Sequence, residues 1–303
     1  MKIWLVLSLL ILGQILSAQT AQRTNIPGTK CSLAPPDGFV PATTFGGFQH
    51  VESGASIMVN EIPAPYQTMV DGFTADALKK RGMTLISREA IDFNNAKATI
   101  IHVSQPANGT TYLKQMLIFG DAEKTVLVNG IYPEASKDLE VNIRNALFSI
   151  VYDDTQVENP LDAATFIIDV SGTDFKLIRY MSGSLLYSTD GKMPTEKPTL
   201  IVGSSIAKVS PENQQKYAEE RLKKLPRGEL NVVKEIKAIS IDNLNGYEIV
   251  AEGKTKNDTP ELVYQTMLFN DKGDYYIVVG KAGEEFEQNL EAFRKVTKTF
   301  KRK

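Results

Sequence analysis

Apolar residues recur along this chain in two rhythms, and both rhythms occur twice. In the first half, Ser56 to Ile62 reads as a strand stopped by Pro63 and Pro65. Tyr66, Met69, Val70, Phe73, Ala77 and Leu78 then recur at helical spacing, which predicts one amphipathic helix to about Arg81, ended by Gly82. Leu85 to Phe93, Ala96 to Ser104, Thr111 to Phe119 and Lys124 to Ile131 are four strand-like runs. Asn94-Asn95, Asn108-Gly109 and Gly120-Asp121 separate them. Turns this short join antiparallel neighbours, so the runs predict a meander. Leu139, Ile143, Ala146, Leu147 and Ile150 mark a closing helix.

The second half repeats the plan. Thr199 to Ser205 reads as a strand, and Ser210-Pro211 as the cap and first position of a helix carrying Tyr217, Leu222 and Leu225. Strand-like runs follow at Val232–Ile241, Gly246–Glu252, Leu262–Phe269 and Asp274–Gly280. Phe286, Leu290, Phe293, Val296 and Phe300 form the last helix. Asp169 to Lys192 is expected to add strands at the start of this copy. Displacing the chain by 150 residues aligns Ile86/Ile236 to Ile150/Phe300 without a gap. It places Gln115 on Gln265, His102 on Glu252, Gly130 on Gly280 and Arg144 on Arg294. A period this long means two copies of a domain rather than a solenoid. The expected fold class is α+β, with two tandem antiparallel sheets packed against helices.

The N-terminus has a different pattern. Lys2 precedes a nearly unbroken apolar run from Ile3 to Leu12, followed by Leu16-Ser17-Ala18, which reads as a secretory signal peptide. The expected layout is a signal at 1–18, a flexible leader at 19–30, a first domain at 31–152, a linker at 153–160 and a second domain at 161–303. The expected location is periplasmic or secreted, with no transmembrane segment once the signal is removed.

Composition narrows the chemistry. With 34 Lys+Arg against 36 Asp+Glu, the net charge of -2 argues against a nucleic-acid partner. One Cys and two His cannot build a cysteine-rich or three-histidine zinc site. No nucleophile elbow or phosphate-binding loop occurs. No catalytic residue, metal ligand or cofactor is therefore assigned, and the sequence leaves the ligand-binding residues unknown. Cys31 reads as a small buried apolar residue, and His50 and His102 as strand or turn residues. The acidic pairs Asp153-Asp154, Glu219-Glu220 and Glu284-Glu285 read as a linker, a solvated helix face and a helix N-terminus.

Pro35-Pro36-Asp37-Gly38-Phe39 opens the first copy, ahead of Phe45-Gly46-Gly47-Phe48, the strand, the helix, the meander with Gly130-Ile131-Tyr132-Pro133, and the closing helix. This order resembles the PsbP-like superfamily, including its uncharacterised DcrB-like bacterial envelope members, here in tandem duplication. The resemblance implies an α/β/α sandwich in each copy. It implies no catalytic residue, because the superfamily hosts unrelated roles. The leading expectation is a non-enzymatic envelope protein with a binding, assembly or accessory role, its partner a protein or a small ligand. A second reading is a small apolar ligand or lipid held between helix and sheet, in a cavity lined by Met69, Phe73, Met116 and Phe148. A third is a hydrolase with a dispersed carboxylate site, which requires two carboxylates to converge.

Overall fold

A strand that is apolar at consecutive positions must be covered on both faces, and both sheets of this chain are. The computed structural model describes residues 22–107, 109–156, 159–205 and 208–303. The expected signal at 1–18 lies outside the described residues. The described part of the expected leader is not loose. There β1 (Thr24–Asn25) pairs with β2 (Cys31–Leu33), and Ile26 is fully buried between them.

The first copy continues with β3 (Val40–Pro41), β4 (Gly47–His50) and β5 (Ala55–Ile62). The helix expected over Tyr66–Arg81 is two helices, α1 (Tyr66–Asp71) and α2 (Ala75–Lys80). The break has a local cause: Thr74 is extended, and its side chain accepts a hydrogen bond from the Ala77 N–H, starting a new helix. The meander is β6 (Thr84–Phe93), β7 (Ala96–Ala107), β8 (Thr110–Gly120) and β9 (Thr125–Pro133). A 3-10 segment, Glu134–Leu139, leads into α3 (Glu140–Phe148) and β10 (Val151–Tyr152). The sheet order is β3-β4-β5-β9-β8-β7-β6, antiparallel throughout.

The second copy has the same order. After α4 (Pro160–Ala163) and β11 (Phe166–Ile167) come β12 (Lys176–Met181), β13 (Ser184–Ser188) and β14 (Thr199–Ser204). A 3-10 turn, Pro211–Asn213, precedes α5 (Gln214–Lys223). Then follow β15 (Val232–Ile241), β16 (Leu244–Lys254), β17 (Pro260–Phe269), β18 (Tyr275–Ala282), α6 (Phe286–Thr297) and β19 (Lys301–Arg302). Its sheet runs β12-β13-β14-β18-β17-β16-β15. Each copy also closes on itself: β10 pairs with β2, and β19 pairs with β11. Among the described residues no helix is long and apolar enough to cross a membrane.

Each sheet thus separates two cores. In the first copy Leu117, Val128, Ile143 and Leu147 pack under α3, while Val70, Leu78, Ile101 and Met116 pack under α1 and α2. In the second, Tyr264, Leu268, Val278 and Phe293 pack under α6, while Ala218, Leu222, Val263 and Met267 pack under α5. Fully burying a side chain of this kind stabilises by roughly 1.5–3 kcal/mol. Two-sided burial also explains why the inner meander strands β7, β8, β16 and β17 read as near-continuous apolar runs rather than as an alternation, whereas the edge strands β6 and β15 stay largely exposed.

The gap-free displacement of 150 residues is corrected by the strand register. The turns Asn94-Asn95 and Asp242-Asn243 both take positive φ, so the first hairpin corresponds at 148 residues, not 150. His102 therefore matches Val250, not Glu252, since they lie opposite Gln115 and Tyr264. Gln115 is in turn opposite Gly130, and Tyr264 opposite Gly280, so Gln115 matches Tyr264, not Gln265. The second copy has one extra residue in each of the two following turns, and from β9 and β18 onward the displacement is 150. The consequence is visible in the cores: Leu117 lies under α3, whereas Met267, its gap-free counterpart, lies under the opposite helix α5. A slip of one residue moves a strand's side chains to the other face. These strands conceal the slip because both faces are apolar.

Gly130 and Gly280 hold the closing helices close to the sheet. A Cβ at Gly130 would stand 2.3 Å from Ile143 Cγ2, and one at Gly280 would stand 2.6 Å from the Phe293 ring. Gly130→Ala and Gly280→Ala should each destabilise the protein by about 1–3 kcal/mol through overpacking. Urea denaturation of the two variants measures this, and an unchanged midpoint in both would contradict the packing argument.

Candidate functional site

The residues singled out in the sequence do not converge. His50 closes a turn: its Nδ1 lies 2.9 Å from Ser53 Oγ, and its ring sits 5.4 Å from that of Phe39. His102, on β7 with three strands between it and β4, has Nε2 3.5 Å from Arg144 Nη1. Burial, then the Arg144 charge, lowers its pKa. Cys31 is fully buried, and burial, reinforced by the Glu61 carboxylate, pushes its thiol well up. A thiol so held is a poor nucleophile.

The apolar cavity expected from Met69, Phe73, Met116 and Phe148 is overturned. Met69, Phe73 and Met116 pack together under α1 and α2, whereas Phe148 belongs to the opposite face, edge-on to Phe93 at 5.9 Å. The acidic pairs also go separate ways. Asp154 binds Lys124 at 2.8 Å, and Glu284 binds Lys197 at 2.9 Å. Among the described residues no three His, Cys, Asp or Glu side chains group closely enough to hold a metal.

The densest polar cluster has a structural explanation. On the α6 face of the second sheet, Arg294 donates to Glu248 Oε1 from Nε at 2.9 Å and Nη2 at 2.6 Å, and to Glu235 at 3.0 Å. The Tyr264 hydroxyl donates to Glu248 Oε2 at 3.2 Å and accepts from Thr266 at 2.9 Å. Every oxygen of the buried carboxylate is thereby satisfied within the fold.

A different site forms where the two copies meet. The turn of the β12–β13 hairpin presses on the first sheet: Ser182 Oγ donates to Asn60 Oδ1 at 2.7 Å. At the neighbouring Gly183, an added Cβ would lie 2.0 Å from the Thr44 carbonyl oxygen. Ser204 Oγ also donates to the Thr44 carbonyl oxygen, at 3.2 Å. Beside this seam opens a cleft of about 640 Å³. The first copy contributes Glu61, Ile62 and Pro63 from the end of β5, with Lys124 from the β8–β9 turn. The second contributes Ile178 and Arg179 from β12 and the loop carrying Lys192 and Met193. A volume of this size suits a small ligand or an inserted side-chain cluster.

The charges of the cleft are unevenly matched. Lys124 is engaged by Asp154 and stands over the Tyr152 ring at 4.4 Å. Glu61 is turned into its own copy, accepting from the Lys30 backbone N–H and from Cys31 Sγ at 3.9 Å. Burial raises its pKa despite these bonds. Arg179 is partly buried, and its Nε and Nη1 are out of contact with solvent and have no hydrogen-bond acceptor. Burial, with no compensating carboxylate, lowers its pKa. Lys192 is exposed at the cleft rim. Nothing in the sequence around Arg179 marks it out; only the meeting of β12 with the first copy does.

No known family profile matches the chain, and no curated protein is significantly similar to it. Solved structures are. LpqN of Mycobacterium tuberculosis, involved in cell envelope biogenesis, is 18% identical over 45% of this chain and 82% of its own, with a TM-score of 0.35. Cyanobacterial PsbP from Synechocystis is 15% identical over 47% of this chain and 99% of its own, with a TM-score of 0.34. The T6SS immunity protein TplEi from Pseudomonas aeruginosa is 12% identical over 92% of this chain and 97% of its own, with a TM-score of 0.34. In both copies a four-strand meander lies between an earlier helical segment and a closing helix, in the order that the sequence predicts.

Two outcomes test this reading of the charged groups. Because burial raises the Glu61 pKa, the folded chain holds that proton more tightly than the unfolded one. The resulting stability is present below the ordinary carboxylate range and is lost as pH rises through the raised value. Glu61→Gln keeps an acceptor oxygen and should gain stability relative to the natural protein as pH rises above the ordinary carboxylate range; urea midpoints measured from below that range upward test it. Arg294→Met, which strands the buried Glu248, should cost about 3 kcal/mol, the low end for a buried pair because Arg294 is partly exposed, in the same assay.

Proposed function

We propose that this chain is an exported, non-enzymatic protein of the cell envelope whose work is binding or assembly, and that it binds in the cleft between its two copies. One observation carries the proposal: the copies are locked at a tight polar seam, and beside that seam they leave an open recess with apolar walls and an unpaired guanidinium. Rigid scaffolds that meet at a recess are common places for ligands and partners. Export is supported by the Lys2 to Ala18 pattern. The division into domains at 31–152 and 161–303, joined by 153–160, is supported by the closing pairs β2–β10 and β11–β19, each made within one copy.

A cleft-filling variant tests the reading. Full-length chain and Met193→Trp, expressed in the native cell, should both reach the envelope fraction and melt alike. The natural chain should recover a bound molecule, protein or small, that the variant largely loses, read by quantitative mass spectrometry of the purified material. Equal recovery by both, or retention of the natural chain inside the cytoplasm, would overturn the reading.

A further inference from the structure

The cleft has a chemical preference that its lining spells out. Its walls are apolar where Ile62, Pro63, Ile178 and Met193 face it, so a hydrocarbon segment could be covered there. Its free charge is positive. Lys124 is neutralised by Asp154, and Glu61 is hydrogen-bonded back into the first copy. That leaves Arg179 and Lys192, neither of which has a carboxylate partner among the described residues.

Arg179 is the informative group. A guanidinium has five N–H donors and cannot shed its charge to escape burial. Here Nε and Nη1 are shut away from water without an acceptor, an arrangement that costs free energy unless something compensates. The remaining nitrogen, Nη2, is not among the sealed atoms, and Arg179 lines the cleft. An acceptor carrying negative charge in the cleft would meet that nitrogen and form a charge-assisted bond, the stronger kind of hydrogen bond. Lys192, exposed on the loop at the rim, adds a second cation.

Resting on the reading of the cleft as the binding site, we propose that its ligand is an amphiphilic anion. A single carboxylate or phosphate would lie on Arg179, assisted by Lys192, with an apolar segment against Ile62, Pro63, Ile178 and Met193. The same chemistry is offered by a free fatty anion and by an anionic lipid headgroup with the start of its chain.

Titration calorimetry of the full exported chain separates the possibilities. The probes are decanoate, decyl phosphate, neutral decanol, and vesicles of phosphatidylcholine with and without phosphatidylglycerol. The two free anions should bind at least about tenfold more tightly than decanol, and more weakly as salt rises. Arg179→Met should lose about tenfold toward the anions while its binding of decanol stays unchanged, and Arg179→Lys should recover part of the loss. The Arg179→Met variant should melt at the same temperature as the natural chain or higher, since it removes an unpaired cation, so its loss of binding cannot be ascribed to unfolding. Binding to anionic vesicles but to neither free anion, with the same dependence on Arg179, would identify the headgroup as the source. Equal affinity for decanol and decanoate, or anion binding that survives Arg179→Met, overturns the proposal. If no probe binds while the natural chain still recovers a molecule that Met193→Trp loses, the anion falls and the cleft as binding site stands.

Discussion

The closing helix of each copy approaches its sheet where a side chain is missing, at Gly130 and Gly280, and much else follows from that contact. Ile143 and Phe293 occupy the space that a Cβ would need. With the helix seated so close, its last turn leads directly into β10 or β19, which return to pair with β2 or β11 and close the copy. The same contact is a fixed point for comparing the two copies: the residue opposite the glycine is Gln115 in one and Tyr264 in the other. Those two side chains lead to different polar arrangements. Gln115 reaches the Glu140 carbonyl and the Tyr132 hydroxyl, whereas Tyr264 joins Glu248 and Arg294.

Duplication reproduced the scaffold and left the cleft unrepeated. Arg179 sits on a six-residue strand, β12, whose counterpart at the edge of the first sheet, β3, has two residues. Glu61 lies near the end of β5, at the position that Ser204 holds on β14, as the pairings with β9 and β18 show. A recess formed from the edge of one copy and the strand end of the other has no equivalent within either copy. Its chemistry therefore belongs to the pair.

The order of strands and helices was legible from apolar rhythm and turn residues, because turns such as Asn94-Asn95 and caps such as Thr74 act locally. Register was not. Gln115 and Gln265 look equivalent in the linear chain, yet their side chains emerge on opposite faces of their sheets, since a sheet buried on both sides offers no polar face to reveal a slip. The apolar residues Met69, Phe73, Met116 and Phe148 were legible as buried but not as belonging to two different cores. The candidate site was not legible at all: Arg179, Lys192 and Glu61 have ordinary neighbours in the sequence, and none belongs to a motif.

By itself, then, the sequence determined the kind of elements, their order, their duplication and the absence of a recognisable catalytic motif, all of which depend on residues close together in the chain. The tertiary structure decided which apolar positions share a core, where the two copies touch, and that a guanidinium would be left without an acceptor beside a cleft. The reason is one of range. Propensity, capping and turn formation are settled within a few residues, whereas the cleft that Arg179 lines is completed by Glu61 and Ile62, more than one hundred positions away in the chain.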